Sequence, residues 1–144
     1  MNIVIGSDHV GYTLKEAIKN YMTSRSFNFV DFSVTSNDQV DYPIIAKKVS
    51  YAVAKKEFDF GILTCGTGVG MCIAANKIKN IRALVCSEPY SAKMARAHND
   101  ANILCLGTMV VGIGLAQEII EVFLSTSFEG GRHEARIKML EATI

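Results

Sequence analysis

Residues 58–77, FDFGILTCGTGVGMCIAANK, predict a buried strand, a glycine-rich turn and a helix in direct succession. Phe60 to Leu63 is short, apolar and β-prone, as in the centre of a parallel sheet. Three glycines in the five residues from Gly66 to Gly70 allow a tight turn whose backbone N–H groups converge. The next helix, Met71 to Lys77, brings the positive end of its dipole to the same point. The stretch therefore predicts an anion-binding turn, with Cys65 beside it where a thiolate is stabilised.

Two common phosphate-binding loops do not match this turn. A dinucleotide fingerprint requires G-x-G-x-x-G, but the third glycine comes one residue early, at Gly70, and Met71 follows it. A P-loop ends in Gly-Lys-Ser/Thr, which does not occur here. These residues alone leave two interpretations open: an anion-binding loop with a functional Cys65, or a tight strand-to-helix turn with a buried cysteine.

Composition predicts a cytoplasmic protein that binds a small molecule. The 144 residues include 15 basic and 14 acidic side chains, a formal net charge of +1, which gives no sign of a nucleic-acid or membrane surface. Four cysteines occur without C-x-x-C spacing, which favours a reducing compartment over a disulfide framework. The first residues form no long apolar run, so no signal peptide is expected.

The whole sequence, residues 1–144, reads as a single domain in which strands alternate with helices. This alternation predicts a three-layer α/β/α, Rossmann-like fold with a mainly parallel sheet. A capping box, Thr13-x-x-Glu16, is expected to start the first helix, and a final helix is expected from about Arg132 to Ala142. The five predicted strands are Asn2 to Ile5, Asn28 to Val34, Phe60 to Leu63, Ile81 to Cys86 and Ile103 to Leu106.

Polar residues follow the first predicted strand and precede the second helix. Asp8 and His9 come directly after a strand, so they are expected at the same sheet edge as Cys65, where parallel sheets bind ligands. An Asx-type turn at Asp8 with a solvated His9 would explain them equally simply. Tyr42 lies at the start of a predicted helix and is followed by Pro43. Its side chain could contact a ligand, or could only pack against the protein with its hydroxyl at the surface.

Two groups of candidates lie later in the chain. His98 is near a helix C-terminus, where it could be catalytic or could only cap the helix. Arg132 and Arg136 are four residues apart, so they share a helical face and could hold one phosphate, or could form a solvated basic face. Because they lie so far along the chain, they could also serve a neighbouring subunit.

These features together resemble the family of type B ribose-5-phosphate isomerases, which also contains galactose-6-phosphate isomerase. The resemblance covers nearly the whole chain and is carried by short motifs that occur in order. They are Gly6-Ser7-Asp8-His9-Val10-Gly11, Asp41-Tyr42-Pro43, Cys65-Gly66-Thr67-Gly68-Val69-Gly70, Ala74-Ala75-Asn76-Lys77, Ile81-Arg82-Ala83, Cys86-Ser87-Glu88-Pro89-Tyr90-Ser91-Ala92, His98-Asn99-Asp100 and Glu129-Gly130-Gly131-Arg132-His133.

The resemblance implies an isomerase that interconverts ribose 5-phosphate and ribulose 5-phosphate through a cis-enediolate, without a metal or organic cofactor. It implies that Cys65 is the base and that Thr67 steadies the intermediate or moves its hydroxyl proton. His98 would open the sugar ring with Asp8 nearby. The backbone of the turn would hold the oxyanion, through Gly66, Gly68, Val69 and Gly70.

The resemblance also assigns substrate binding. Tyr42 and Asn99 would bind sugar hydroxyls or the ring oxygen, and the phosphate would be held by His9, Arg132 and Arg136. Family members place the site between two subunits, which implies a homodimer or a dimer of dimers. His133 is expected at the surface, and Cys72, Cys86 and Cys105 in the core.

Two positions depart from the family pattern. Met109 stands where many members have an arginine that reaches the partner's phosphate site, so phosphate affinity or substrate preference can differ here. Gly114 replaces a usual glutamate, a change expected to be local.

Other functions stay open at this point. The substrate could be a six-carbon sugar phosphate, such as allose or galactose 6-phosphate, or the chain could be a non-catalytic sugar-phosphate-binding subunit. A redox enzyme lacks a resolving cysteine near Cys65. A zinc site through His9, Cys65 and His98 has no ligand-pair spacing, so no metal is expected there.

Overall fold

A computed structural model describes residues 1–33 and 39–142 and contains a five-stranded sheet. Val34, the end of the predicted second strand, and residues 35–38 of the loop expected after it lie outside the described residues. The strands are β1 (Asn2–Ser7), β2 (Asn28–Asp31), β3 (Phe60–Cys65), β4 (Ala83–Val85) and β5 (Ile103–Gly107). The helices are α1 (Tyr12–Ser24), α2 (Tyr42–Ala54), α3 (Val69–Ala75), α4 (Pro89–Asn99), α5 (Ile113–Ser125) and α6 (Arg132–Glu141).

The sheet order is β2-β1-β3-β5-β4, and every pair of neighbouring strands is parallel. β3 lies in the middle, between β1 and β5, which agrees with its continuous apolar sequence. The chain leaves β1 toward β2 on one side and returns to β3 on the other. Ligands bind in parallel sheets at such a reversal of strand order, beyond the carboxyl ends of the strands.

Two apolar cores cover the two faces of the sheet, because successive residues of each strand point to opposite sides. Ile3 and Ile5 face a core built with α1, α4 and α5, whereas Val4 faces a core built with α2 and α3. Helices therefore pack on both sides, and the predicted three-layer α/β fold is confirmed. Within the described part of the chain, no helix is long and apolar enough to cross a membrane.

Three local predictions need correction. α1 begins at Tyr12, so Thr13 is inside the helix and makes no capping bond; the Gly11 N–H donates instead to Asp8 Oδ1 at 2.8 Å. α3 begins at Val69, two residues earlier than predicted, because the turn itself forms its first residues. β4 is limited to Ala83–Val85, since it pairs on only one side, with β5.

Candidate active site

Four predicted site residues lie at or beyond the carboxyl ends of β1 and β3, at an edge of the sheet that we call the carboxyl edge: Asp8, His9, Tyr42 and Cys65. Ser7 of β1 is paired with Thr64 of β3, so the next residue of each segment, Asp8 and Cys65, lies beside the other. The Thr64 hydroxyl donates to the Gly11 carbonyl at 2.9 Å, which ties the turn after β1 to β3.

The turn from Gly66 to Gly70, called the glycine loop below, holds the Cys65 side chain in a defined place. The Gly68 N–H donates to Cys65 Sγ at 3.1 Å, and the cysteine is 5% exposed. Gly68 has φ of +80°, a left-handed conformation that favours glycine. This conformation directs the start of α3, and its dipole, toward the sulfur. The arrangement stabilises negative charge on the sulfur or on a ligand beside it.

The far side of the glycine loop is fixed by the segment that follows β5. The Cys65 carbonyl accepts from the Thr108 N–H at 2.9 Å, and the Gly66 carbonyl accepts from the Met109 N–H at 3.0 Å. These bonds occupy the carbonyl groups where β3 ends and the loop begins, so the loop presents N–H groups on its other side. Thr67 lies exposed at the tip, where its hydroxyl accepts weakly from the Val69 N–H at 3.4 Å.

Asp8, His9 and Tyr42 surround the glycine loop. Asp8 is buried and forms the Asx-type turn that the sequence left open, whereas His9 is exposed. The Tyr42 ring lies directly against Gly70, because a Cβ added at that glycine would come within 2.8 Å of the ring. An exposed imidazole, a phenol and the loop backbone thus face the same region.

The remaining predicted site residues lie at the opposite, amino end of the sheet. α4 begins beyond β4 and runs back against the strands, so His98 and Asn99 at its end lie near the start of β5. Arg82 Nε donates to the carbonyls of Asn99 and Asp100, and the Gly61 N–H at the start of β3 donates to the Asn102 carbonyl. A six-residue strand such as β3 spans roughly 20 Å, so His98 cannot meet Cys65 of its own chain.

Arg132 and Arg136 belong with His98, because the start of α6 packs on the end of α4. The Glu129 N–H donates to the Ala97 carbonyl at 3.0 Å, just before α6. Both arginines are exposed on α6, and within residues 1–33 and 39–142 neither forms an ion pair. We call His98, Asn99, Arg132 and Arg136 the amino-edge set. The structure therefore divides the predicted site into two groups, one at each edge of the sheet.

His133 was expected at the surface, and that expectation is wrong. It is only 5% exposed, and its ring stacks on the His98 ring with centroids 4.2 Å apart and 5° between the planes. Gly130 and Gly131, with φ of +67° and +56°, turn the chain so that the first turn of α6 faces α4. Burial, with the nearby positive charges of His98, Arg132 and Arg136, lowers the pKa of His133, which favours its neutral form.

The other three cysteines lie outside the glycine loop, but they are not all equally buried. Cys105 is buried, as predicted, whereas Cys72 and Cys86 are half-buried. A hydrogen bond from Cys105 outweighs burial and lowers the pKa of Cys72 to about 7, whereas burial raises the pKa of Cys86 to about 11. Cys72 lies on α3. The sequence predicted only a core position for it, not a pKa near neutral. The neighbouring strand and its thiol donor are visible only in the fold.

An open cleft of about 630 Å³ also lies at the amino end of the sheet, lined by Phe60, Arg82, Arg96 and Asp100 among others. Its two arginines are already paired with the carboxylate of Asp100, at 3.1 and 2.7 Å. The cleft contains none of the carboxyl-edge residues, so its size does not make it the candidate active site.

Comparisons with known proteins agree with these motifs. The family model described as ribose/galactose isomerase matches residues 3–140. Ribose-5-phosphate isomerase B of Escherichia coli strain K12 is 49% identical over 140 residues, covering 97% of this chain and 94% of that protein.

Solved structures show the same fold. Ribose-5-phosphate isomerase B of Clostridium thermocellum superposes with a TM-score of 0.96 at 48% identity, covering 99% of this chain and 97% of that one. The enzyme of Mycoplasma genitalium, solved with bound ribulose 5-phosphate, gives a TM-score of 0.91 at 42% identity, covering 99% and 95% of the two chains.

Proposed function

The chain belongs to the ribose/galactose isomerase family, and we propose that it interconverts ribose 5-phosphate and ribulose 5-phosphate with Cys65 as the base. The observation that carries the proposal is the position of the Cys65 sulfur, at the start of α3 with the Gly68 N–H 3.1 Å away. Relatives named for this reaction match the chain over nearly its full length. All four cysteines are free thiols, which fits the reducing cytoplasm expected from the sequence.

The chemistry requires a base beside C1 and C2 of the open-chain sugar. Cys65 as thiolate takes the proton from C2, and the electron pair moves into the C1–C2 bond as the aldehyde oxygen becomes negative. The resulting cis-enediolate then receives the proton at C1, which gives the ketose. Thr67, at the exposed tip of the loop, is placed to move the proton between the two enediolate oxygens. A thiolate at a helix start is a suitable base near neutral pH.

The negative oxygen of the enediolate needs fixed donors rather than water. The N–H groups of the glycine loop can supply them, because the loop's carbonyls are held on its other side by Thr108 and Met109. One preorganised donor contributes on the order of 3 kcal/mol to a transition state of this kind. Two such donors would account for an acceleration of roughly 10⁴-fold.

Ring opening and phosphate binding require the amino-edge set, which one chain cannot bring to its own Cys65. We therefore assign them to a second copy: each site takes its carboxyl edge from one subunit and its amino-edge set from the partner. A two-fold dimer forms two such sites at once, because each copy contributes both surfaces. Exposed apolar side chains next to the glycine loop support an interface there, namely Tyr42, Ile44, Val69 and Ile73.

In the assembled site the roles follow from chemistry and position. His98 of the partner subunit exchanges the proton that opens the furanose ring, with Asp8 on the other side, and Asn99 and Tyr42 bind sugar hydroxyls. Arg132 and Arg136 have no carboxylate partner in the described residues, so their charge is free for a phosphate. His9 adds a third donor from the carboxyl edge.

The direct test measures conversion of ribose 5-phosphate by metal-stripped protein, beside Cys65→Ala and the control Cys86→Ser. Losing a general base lowers kcat by roughly 10²–10⁴-fold, and KM should change little. The control replaces a thiol outside the glycine loop and should retain wild-type kcat. Full activity of Cys65→Ala would remove that residue from the base role.

Substrate range is tested in the same assay. The family includes galactose isomerases, so allose 6-phosphate and galactose 6-phosphate are offered beside the pentose. We expect the pentose to have the higher kcat/KM. Faster conversion of a six-carbon sugar would identify that sugar as the substrate, and binding of ribose 5-phosphate without conversion of any sugar would indicate a binding subunit.

A further inference from the structure

Three side chains from neighbouring segments bring potential metal ligands together at the end of α4. His98 Nε2 is 3.8 Å from Glu129 Oε2, and His133 Nε2 is 3.6 Å from the same oxygen. One ligand atom from each residue lies within 4.8 Å of the others. Two imidazoles and a carboxylate form a common ligand set for zinc.

The buried nitrogen of His133 lacks a partner. Its Nε2 is shielded from solvent, yet it makes no hydrogen bond to any described residue, and the side chain is only 6% exposed. An unpaired buried polar atom costs about 1–3 kcal/mol, so proteins usually satisfy such atoms. Glu129 Oε2, at 3.6 Å, is too far for a normal hydrogen bond. A cation between the two would satisfy the nitrogen and neutralise the carboxylate.

Two of the three ligand distances, 3.8 Å and 3.6 Å to Glu129 Oε2, are already close to the spacing around such an ion. Ligand atoms about 2.1 Å from zinc in tetrahedral geometry are roughly 3.4 Å apart. His133 is fixed by burial, but His98 and Glu129 have side chains 37% and 57% exposed and can move toward it. Coordination requires the His98 ring to tilt out of its parallel stack, so that its lone pair points to the shared ion.

The surroundings restrict the kind of ion. Arg132 and Arg136 are close enough to His133 to act on its charge, and they disfavour any nearby cation. Magnesium and calcium, which prefer several oxygen ligands, gain too little from two nitrogens to overcome this repulsion. Zinc, nickel and copper bind imidazole strongly.

We propose that His98, Glu129 and His133 bind a divalent ion of the zinc class, and that the bound ion inhibits the isomerase. The inhibition rests on the proposed function, because an ion on the His98 lone pair removes the group that opens the sugar ring. The ion would also stand where the sugar enters, so inhibition should be competitive with ribose 5-phosphate. The binding itself does not depend on any catalytic role.

Cobalt(II) titration of the metal-stripped, full-length protein tests the binding directly, because its visible spectrum reports the ligands. The key variant is Glu129→Gln, and the matched control is Glu134→Gln, an exposed glutamate on α6 that pairs with Lys138 at 3.0 Å. Loss of an outer-sphere partner already costs 10–100-fold in metal affinity, so loss of the Glu129 ligand should weaken cobalt binding by at least about tenfold. The control should bind as the wild type does, and His133→Gln should bind as weakly as Glu129→Gln.

Zinc inhibition supplies the functional readout. Zinc should raise the apparent KM for ribose 5-phosphate, and Glu129→Gln should need at least about tenfold more zinc for the same effect while keeping the metal-free rate. Equal metal binding by wild type and Glu129→Gln would overturn the site. A thiolate-to-cobalt charge-transfer band would also overturn the site, because it would place the ion on a cysteine. If metal binding depends on Glu129 but zinc does not inhibit the isomerase, the metal site stands and inhibition through His98 is rejected.

Discussion

Substitution of Gly68 by alanine tests whether the glycine loop itself drives catalysis. Gly68 has φ of +80°, and a left-handed conformation costs a non-glycine residue about 1–2 kcal/mol. Its new Cβ would lie 3.0 Å from the Leu106 carbonyl carbon and 2.9 Å from a Val85 methyl. The backbone of Leu106 cannot move away without a large energetic cost, so overpacking adds about 1–3 kcal/mol. We therefore expect Gly68→Ala to lower the free energy of unfolding by about 2–5 kcal/mol.

The same change should lower kcat more than it affects KM. Relief of the strain moves the Gly68 N–H away from Cys65 Sγ and shifts the other donors of the loop. Loss of one oxyanion donor costs about 10²–10³-fold in kcat. KM should stay within a few-fold, because the donors of the loop act mainly on the oxyanion of the transition state, whereas the phosphate is bound alike before and during the reaction.

Steady-state kinetics and urea unfolding measure the two effects on the same samples. Gly114→Ala is the matched control, since a Cβ at Gly114 meets nothing within 4 Å and the residue lies in the first turn of α5. The control should gain up to about 1 kcal/mol of stability and keep its rate. A folded Gly68→Ala enzyme with wild-type kcat would refute the role of the loop, and unchanged stability would refute the strain.

Two further predictions concern pH. Burial raises the pKa of Asp31, but hydrogen bonds from Lys15 and Lys19 outweigh burial and leave the pKa below its usual value. The ionised Asp31 therefore stabilises the fold above about pH 4, and this contribution is lost as pH falls through the pKa of the folded state. Asp31→Asn leaves Lys15, which is only 2% exposed, without its main partner, so it should cost about 3 kcal/mol in urea unfolding at pH 7. The cost should become smaller as pH falls below about 4, and an equal cost at pH 7 and near pH 3 would contradict the ion pair. Alkylation by iodoacetamide, followed by mass spectrometry, should modify Cys72 half-maximally near its pKa of about 7. Cys86, with a pKa of about 11, should stay largely unmodified below pH 9. Equal alkylation rates for these two half-buried thiols would contradict the two pKa shifts.

The sequence predicts the fold well because its local signals agree with one another. The apolar segment Phe60 to Leu63 predicts a central strand, and it lies within the central strand β3 (Phe60–Cys65). The alternation of strands and helices around it leaves few other folds. The errors are local, as at Thr13, where tertiary contacts of Gly11 with β3 decide the helix start rather than the capping pattern. Residues at the glycine loop were identifiable because glycine spacing and a cysteine carry chemical meaning on their own.

The division of the site between two edges was harder to predict, although a signal was present. His98 ends a helix that precedes a strand, and in a parallel sheet such a position lies at the amino edge, opposite Cys65. Burial of His133 had no such signal, because it depends on how Gly130 and Gly131 direct α6 onto α4.

If each active site combines Cys65 of one subunit with His98 and Arg136 of the partner, a mixed dimer of two inactive variants contains one intact site. We expect Cys65→Ala and the double variant His98→Ala/Arg136→Ala to be inactive on their own, because each lacks part of every site. Co-expressed at equal levels, they should regain about a quarter of wild-type activity, because about half the dimers are hybrids and each hybrid has one intact site of two. Hybrid dimers, purified through two different tags, that remain as inactive as either parent would contradict the shared site.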